Sequence, residues 1–519
     1  MIALPTWSIP MRAWQARAVR EWVAVRPENA TWVAAPGSGK TLAAARLGHG
    51  LLRAGHVNRI ITVVPRLHLK RQISRTYGRV GIPVEHRWQG ERWPADALGV
   101  AVTYQQVAAD PERMAAYAAD ALVLLDEVHH AGADAAWGKA LYAAFERAPY
   151  RLSLSGTPVR TDRTPIPFVE YDHLGRYRAD IVYGYADAVA EGVCRPLVFV
   201  LGDGAARWRT NDGEEVEASF TEAGRLTANR RRELMRTQLE LGMHGLIERA
   251  NRALLRLRAE EAPDAAALLV ARDQDHARRM AGLVYAITGE RPELVISDEE
   301  GADRALEAFS RGRGSWVVSV HMVSEGVDIP RLRVGVFASA VTTELYFRQF
   351  CGRLVRGATE RAEGQGYVYL PAEPALVSHA REIRAELKGV VVRPNVRATI
   401  PVPQEPHARE LGQYEALYAG LAVVASVHGE EPSDQERQET RESSIAAGTT
   451  TGTDKVALQA EVVELVRRVC RATGQEPRAI HGRLKARFGD DLRGATLWTL
   501  QGRIAELRDW LKAAHSAAS

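Results

Sequence analysis

Thr31–Thr41 read TWVAAPGSGKT: an apolar run with β-branched and aromatic residues, a tight glycine turn, then a lysine and a hydroxyl opening the helix-forming stretch Leu42–Ala54. That order dictates a strand, a loop and a helix. Ala34 to Thr41 fit the pattern [A/G]xxxxGK[S/T], with alanine in the first slot. Around Pro36 and Ser38, Gly37 and Gly39 let backbone N–H groups turn inward as an anion nest, and the helix N-terminus adds its dipole. Lys40 can reach the outer phosphates of a nucleotide, and the Thr41 hydroxyl can ligand Mg²⁺. The chain has only seven lysines (Lys40, Lys70, Lys139, Lys388, Lys455, Lys485, Lys512) among 68 basic residues, leaving 61 arginines. In so lysine-poor a chain a lysine in this setting is informative.

The strand before the cradle has companions. Apolar runs at Arg59–Val64, Val100–Thr103, Ala121–Asp126 and Arg151–Ser155 alternate with amphipathic stretches such as Arg66–Tyr77. Such alternation predicts a parallel sheet covered on both faces. A second series follows at Ala266–Ala271, Leu294–Ile296, Ser315–Val320, Val334–Ala338 and Tyr367–Leu370. We therefore expect two successive α/β domains, 1–164 and 261–395. Between them 165–260 breaks the pattern and reads as an inserted α/β segment. In it Leu197–Gly202 and Glu215–Phe220 suggest a hairpin, and Leu226–Arg258 an arginine-rich helix or helix pair. After a connecting segment, 396–425, the polar stretch 426–455 has almost no large apolar residues and reads as a disordered linker. The tail, 456–519, regains helical period at Val462, Leu465, Val466, Val469, Ile480, Leu484, Phe488, Leu497, Leu500, Ile504, Leu507 and Leu511, predicting a small helical module. Its 11 basic and 7 acidic residues make it mildly basic.

Composition sets the class. Apolar residues at 46% and charged residues at 25% are the balance of a globular protein. No apolar run approaches a membrane span. Pro5, Trp7 and Pro10 interrupt the place where a secretory leader would carry its apolar stretch. The three cysteines (Cys194, Cys351, Cys470) are far apart, which fits a reducing cytoplasm rather than a disulfide framework or zinc site. A net charge of +4 says little about a polyanionic partner.

Two further segments carry chemistry. Ala121–His130 read ALVLLDEVHH, a strand ending in adjacent carboxylates and histidines. Asp126 suits Mg²⁺, and Glu127 suits orienting and deprotonating an attacking water. His129 and His130 with Asp126 leave a metal cluster as the alternative. Gln349–Arg356 read QFCGRLVR, which on a helix puts Gln349, Arg353 and Arg356 on neighbouring turns, two guanidiniums aimed one way. Such a pair can stabilise charge on a transferring γ-phosphoryl group. Glu386-Leu387-Lys388 gives a lone ExK that reads as an exposed helix face, with no nuclease signature beyond it.

Taken together the three segments resemble the superfamily 2 DExH helicases and translocases, and most closely the phage and bacterial DNA repair helicases and type III restriction ATPase subunits. Other segments fall in the family's order over roughly residues 10–395. Arg12 and Gln15 are similar to its adenine-reading motif, Val64-Pro65-Arg66 and Thr103-Tyr104 to the first-domain motifs that touch the nucleic-acid backbone. Ser155-Gly156-Thr157-Pro158 resembles the motif coupling hydrolysis to movement, with His129 beside it in that role. Ser324 to Pro330 (SEGVDIP) resembles the second-domain motif whose aspartate, here Asp328, approaches the ribose. The resemblance implies two tandem RecA-like (P-loop NTPase) domains, ATP and Mg²⁺ as ligands, and a nucleic-acid partner, DNA over RNA, with other subunits of a repair or defence assembly and no membrane. It implies that ATP hydrolysis drives movement along a strand. An ATP-switched nucleic-acid-binding scaffold without processive unwinding, or an RNA helicase, are the other readings.

Overall fold

The computed structural model describes residues 4–90, 92–129, 135–156, 166–171, 178–210, 212–296, 302–320, 329–357, 364–387, 415–419, 421–426 and 452–488, then 500, 503–504, 506–511 and 514. The chain divides into two compact units, one spanning Met1–Cys194 and one from Arg195 onward.

In the first unit the strands are β1 (Asn29–Ala34), β2 (Arg59–Val64), β3 (Val84–Glu85), β4 (Gly99–Thr103), β5 (Ala121–Asp126), β6 (Tyr150–Ser155) and β7 (Ile181–Tyr183). They form one all-parallel sheet in the order β3-β4-β2-β5-β6-β1-β7. Every residue of β4 and β5 is buried, as are all but the first of β1, β2 and β6. Parallel strands lie under helices on both faces, so they read as continuous apolar runs rather than alternating ones. That is why β2 and β5 match the sequence expectation end to end. One face of the sheet packs Ile61, Val63, Val123 and Leu125 against Val107, Met114, Leu141 and Phe145 of the covering helices. Truncating one of these, as in Leu125→Ala, costs about 2–5 kcal/mol.

The second unit repeats the plan. Its strands are β8 (Leu197–Asp203), β9 (Ala206–Arg209), β10 (Glu215–Ala218), β11 (Ala266–Ala271), β12 (Glu293–Val295), β13 (Trp316–Val320), β14 (Leu332–Ala338), β15 (Gly366–Pro371), β16 (Glu415–Ala419) and β17 (Ala422–Ser426). The main sheet runs β12-β13-β11-β14-β15-β8-β17, parallel except for β17, and β10-β9-β16 form a small antiparallel sheet.

The expected insert therefore does not stand apart. β7 joins the first sheet, and β8 the second. The expected hairpin between Leu197–Gly202 and Glu215–Phe220 is corrected as well. β8 (LVFVLGD) is buried along nearly its whole length and pairs with β15, whereas β10 (EVEA) alternates exposed and buried and pairs with β9. A continuous apolar run belongs inside a covered parallel sheet, and an alternating one belongs in a half-solvated hairpin. The arginine-rich stretch forms helices Ala228–Thr237 and His244–Glu260, joined by a π turn at Gln238–Gly242.

Residues 427–451 of the expected linker lie outside the described residues, and the first tail helix, Gly452–Thr473, already starts within it. A second helix, Pro477–Phe488, follows a turn at Gly474 (φ 69°). Of the forecast apolar positions, all but Leu497, outside the described residues, form one buried cluster. The module is docked on helix Gln274–Thr288: Tyr285 hydrogen-bonds Asp509, and the buried Glu506 pairs with Arg291 (2.8 Å) and Arg487 (3.4 Å).

Candidate nucleotide site

The site in the first unit grows from the carboxyl ends of β1, β5 and β6. After β1 the chain passes Gly37 (φ 76°) and Gly39 (φ 86°), and helix Lys40–Arg53 begins. Left-handed backbone of this kind favours glycine. A side chain at Gly39 would also strike Gln15, whose Nε2 would lie 2.5 Å from the added Cβ. Gln15 is buried and braces the turn. Its Nε2 donates to Gly39 O (3.0 Å) and Ser38 O (3.4 Å), and its Oε1 accepts from Arg12 N (2.9 Å). Trp14 Nε1 also donates to Ser38 O (3.2 Å), and its ring stacks on Tyr183 of β7 at 5.1 Å. Burial and the neighbouring Glu191 carboxylate push the Tyr183 phenol upward, so it stays neutral. Cys194 Sγ donates to Pro36 O at 3.2 Å. Trp14, Tyr183 and Cys194 escaped the sequence reading: Trp14 differs from other core tryptophans only in adjoining Gln15, and the other two lie in the stretch read as an insert.

The chemistry gathers at one carboxylate. Glu127 follows β5 in left-handed backbone (φ 47°), a conformation a non-glycine residue holds only under constraint. Its Oε1 lies 3.4 Å from Lys40 Nζ, its Oε2 accepts from Gly156 N (3.1 Å), and His129 Nδ1 sits 3.6 Å away. Lys40 also donates to Ala34 O at 3.2 Å. Gly156 follows β6 and Ser155, and a Cβ there would lie 2.9 Å from Lys40 Nζ. A glycine thus lets lysine and carboxylate meet. Asp126, the last residue of β5, is largely buried beside them. Thr41 lies in the first turn of the helix after Lys40, half-buried. Pairs of glycine-turn amides, a lysine, a hydroxyl and a carboxylate are the donor set a nucleotide with Mg²⁺ takes. The alternative cluster of His129, His130 and Asp126 has its His130 outside the described residues.

Other expected residues are placed as follows. Arg66 is exposed at the start of helix Leu67–Gly78, after β2. Thr103 and Tyr104 are a correction, for they lie inside the fold rather than on a surface a strand could touch. Thr103 caps helix Tyr104–Ala109, accepting from Gln106 N (3.1 Å), while Tyr104 OH donates to Asp126 O (2.9 Å). Burial, reinforced by the charges of Asp126 and Glu127, drives the Tyr104 phenol well above its ordinary range and keeps this brace protonated. In the second unit Gln349 and the buried Arg353 lie on helix Glu344–Leu354, but Arg356 lies two residues past its end. The pair therefore is not one helical stripe, because the helix stops at Leu354 with Val355 as its cap. Thr157 and Asp328 lie outside the described residues. Glu386 of the lone ExK is half-buried rather than exposed and pairs with Arg348 (2.7 Å), while Lys388 lies outside the described residues.

Similarity to known proteins agrees with this geometry. Residues 8–160 match the ResIII family, the type III restriction enzyme res subunit. Among solved structures, a fragment of a type I restriction enzyme HsdR subunit from Vibrio vulnificus YJ016 superposes with a TM-score of 0.52 at 15% identity, over 72% of this chain and 66% of that one. The type ISP restriction-modification enzyme LlaBIII, solved bound to DNA, gives 0.51 at 14% identity over 92% of this chain. The chain spans 36% of LlaBIII's length. At such identity the likeness speaks for the fold: two tandem RecA-like domains.

The chain is similar to the type III restriction-like ATPases of the superfamily 2 helicases, through residues 8–160 in sequence and through the tandem RecA-like fold. It belongs to one family with the uncharacterized protein Rv2917 of Mycobacterium tuberculosis, 38% identical over 437 residues (81% of this chain, 72% of that protein). ML1624 of Mycobacterium leprae is 39% identical over 404 residues, 76% of this chain and 67% of its own. No helix among the described residues is long and apolar enough to cross a membrane.

Proposed function

We propose that this chain is a DNA-dependent ATPase that translocates along and unwinds nucleic acid in repair, recombination, replication or phage defence, within a larger assembly. The observation that supports it is the cluster of Lys40, Glu127, His129 and Gly156 at the ends of three strands. Phosphates entering the cradle compete with Glu127 for Lys40. The carboxylate so released orients a water and takes its proton as the water oxygen bonds to the γ-phosphorus. The bond to the β-phosphate oxygen breaks, and ADP leaves with that electron pair. Thr41 and Asp126 would hold Mg²⁺, which would supply charge neutralisation on the phosphates. Gln15 braces the cradle with Arg12 beside it for the base, and Asp328 takes the ribose. Arg353 and Arg356, with Gln349, stabilise charge on the transferring group. Ser155, Thr157 and His129 pass the state of the site to the strand held through Arg66.

The test is the ATPase rate with single-stranded, double-stranded and forked DNA and with RNA, using Lys40→Ala as blank. Stimulation by DNA, together with strand displacement, is expected. Stimulation by RNA alone would make the chain an RNA helicase, and stimulation by none of them ends the motor reading. ATP-dependent DNA binding without displacement would favour the scaffold.

A further inference from the structure

At the far end of the helix that starts at Lys40 lies a cavity of about 420 Å³, lined by Thr6, Trp7, Arg46, His49, Gly50, Arg53 and Ala54. Ten residues of helix separate Gly50 from Lys40, roughly 15 Å, so this is not the nucleotide cradle. Its volume lies within the range of small-ligand sites.

Its charge is one-sided. Arg46, Arg53 and His49 contribute to the wall, and no carboxylate does. Among the described residues neither Arg46 nor Arg53 has a carboxylate oxygen within 4.0 Å. The Arg46 guanidinium lies instead over the Trp7 indole, 5.4 Å from the ring centre. His49 meets the same indole edge-on at 5.5 Å. Burial holds the His49 pKa down, and the Arg46 and Arg53 charges lower it further, against the pull of the Pro5 carbonyl. Helix-end carbonyls would oppose an anion here, but those of Gly50, Leu51 and Leu52 are taken by the N–H groups of Ala54, His56 and Gly55.

The wall is also held in place. Trp7 Nε1 donates to Ile9 O (2.6 Å), and His49 Nε2 donates to Pro5 O (2.8 Å). The Pro5 ring fills the space a side chain at Gly81 (φ 79°) would need, its Cδ and Cγ 2.4 Å from the would-be Cβ. A flat indole held by its own hydrogen bond and bearing a guanidinium, with a second, exposed guanidinium and a hydroxyl beside it, suits a base and its phosphate.

We propose that this cavity binds one nucleotide unit of a single strand, its base against the Arg46–Trp7 platform and its phosphate on Arg53 and Arg46. The site rests on the nucleic-acid reading above and adds a contact remote from the ATP cradle.

The experiment uses the full chain with a fluorescent oligothymidylate carrying photoreactive 5-iodouracil. The expected crosslink maps to Trp7. Arg46→Ala/Arg53→Ala should weaken strand binding about tenfold and flatten the log–log salt dependence by roughly 0.7, the share of one phosphate on a single strand. Arg46→Lys/Arg53→Lys should keep the salt slope, and Trp7→Phe should keep most of the affinity. Unchanged affinity and slope in the alanine variant, with its thermal unfolding intact, overturns the proposal. So does loss of the crosslink on adding free dTMP while the strand stays bound, since the pocket would then hold a free nucleotide. Strand-stimulated ATPase is measured on the same samples. If it is present in the unsubstituted chain while the pocket variants bind normally, only this site fails. If it is absent there, the motor reading fails instead.

Discussion

Strands β1 and β8 hold the same sixth place in two seven-stranded sheets of matching order, and they end in opposite chemistry. Beyond β1 the chain turns through two left-handed glycines into Lys40, leaving a concavity of donors. β8 itself ends in Asp203, whose carboxylate accepts from Gly204 N and Phe220 N (both 2.8 Å), Thr221 N (2.9 Å) and Thr221 Oγ1 (2.5 Å). One slot waits for an anion, and the other already contains one. A strand's place in a sheet positions a site, but only donors left unspent make it bind.

The comparison breaks most sharply at its charged ends. Lys40→Ala should abolish turnover and leave thermal stability nearly unchanged, since the lysine's partner Glu127 is partly solvated. Glu127→Gln should lower the ATPase rate by roughly 10²–10⁴-fold while still binding ATP. Near wild-type hydrolysis in that variant removes Glu127 from the role of base. Asp203→Ala reverses the pattern: about 2–4 kcal/mol of stability is lost from the second unit, because buried N–H groups lose a charged acceptor. Calorimetry should show one unit's transition moving and the other's staying.

The same contrast explains what could be read in the sequence. The cradle was legible because phosphate chemistry demands particular residues at fixed spacing, whatever surrounds them. The strands were legible because burial on both faces leaves continuous apolar runs. β8 was misassigned, although its run is as apolar as that of β5, since nothing local tells a sheet strand from half of a hairpin when the partner, β15, lies far along the chain. Tyr104 was misassigned for a related reason: a tyrosine at a strand end serves a surface or a core equally, and its partner Asp126 is set by tertiary packing. Arg356 was placed on a helix that ends two residues before it.

Acid should separate the two units next. His276, wholly buried in the second, accepts from Arg272 N and donates to Leu239 O (2.8 Å). Burial is the main cause that lowers its pKa from 6.5 to about 4, with the charges of Arg272 and Arg279 adding to it against that of Glu240. The folded pKa lies below the unfolded one, so the unfolded chain binds the proton first. Stability contributed by the neutral ring is whole above about pH 6.5 and falls as pH drops towards 4, by up to roughly 3 kcal/mol. Unfolding followed from pH 7 to pH 4 should show the second unit weakening, and His276→Gln should flatten that slope. A slope unaltered by the substitution would mean that other groups carry it.

The smallest effect sets one glycine of each unit against the other. A Cβ at Gly39 would lie 2.5 Å from Gln15, and one at Gly282 would lie 2.4 Å from the Phe488 ring. The clashes are alike, but the backbones differ. Gly39 is left-handed at φ 86°, so Gly39→Ala adds strain to the clash at the phosphate turn and should weaken ATP binding. Gly282 lies within helix Gln274–Thr288, where alanine gains about 1 kcal/mol of helix propensity. Overpacking against Phe488 costs about 1–3 kcal/mol, for a net loss of roughly 1 kcal/mol. The loss should appear as faster amide exchange in Pro477–Phe488, with ATPase and the first unit untouched. If Gly282→Ala instead stabilises the second unit, the ring yields without cost, and the tail is held by Glu506 and Asp509 rather than by Phe488.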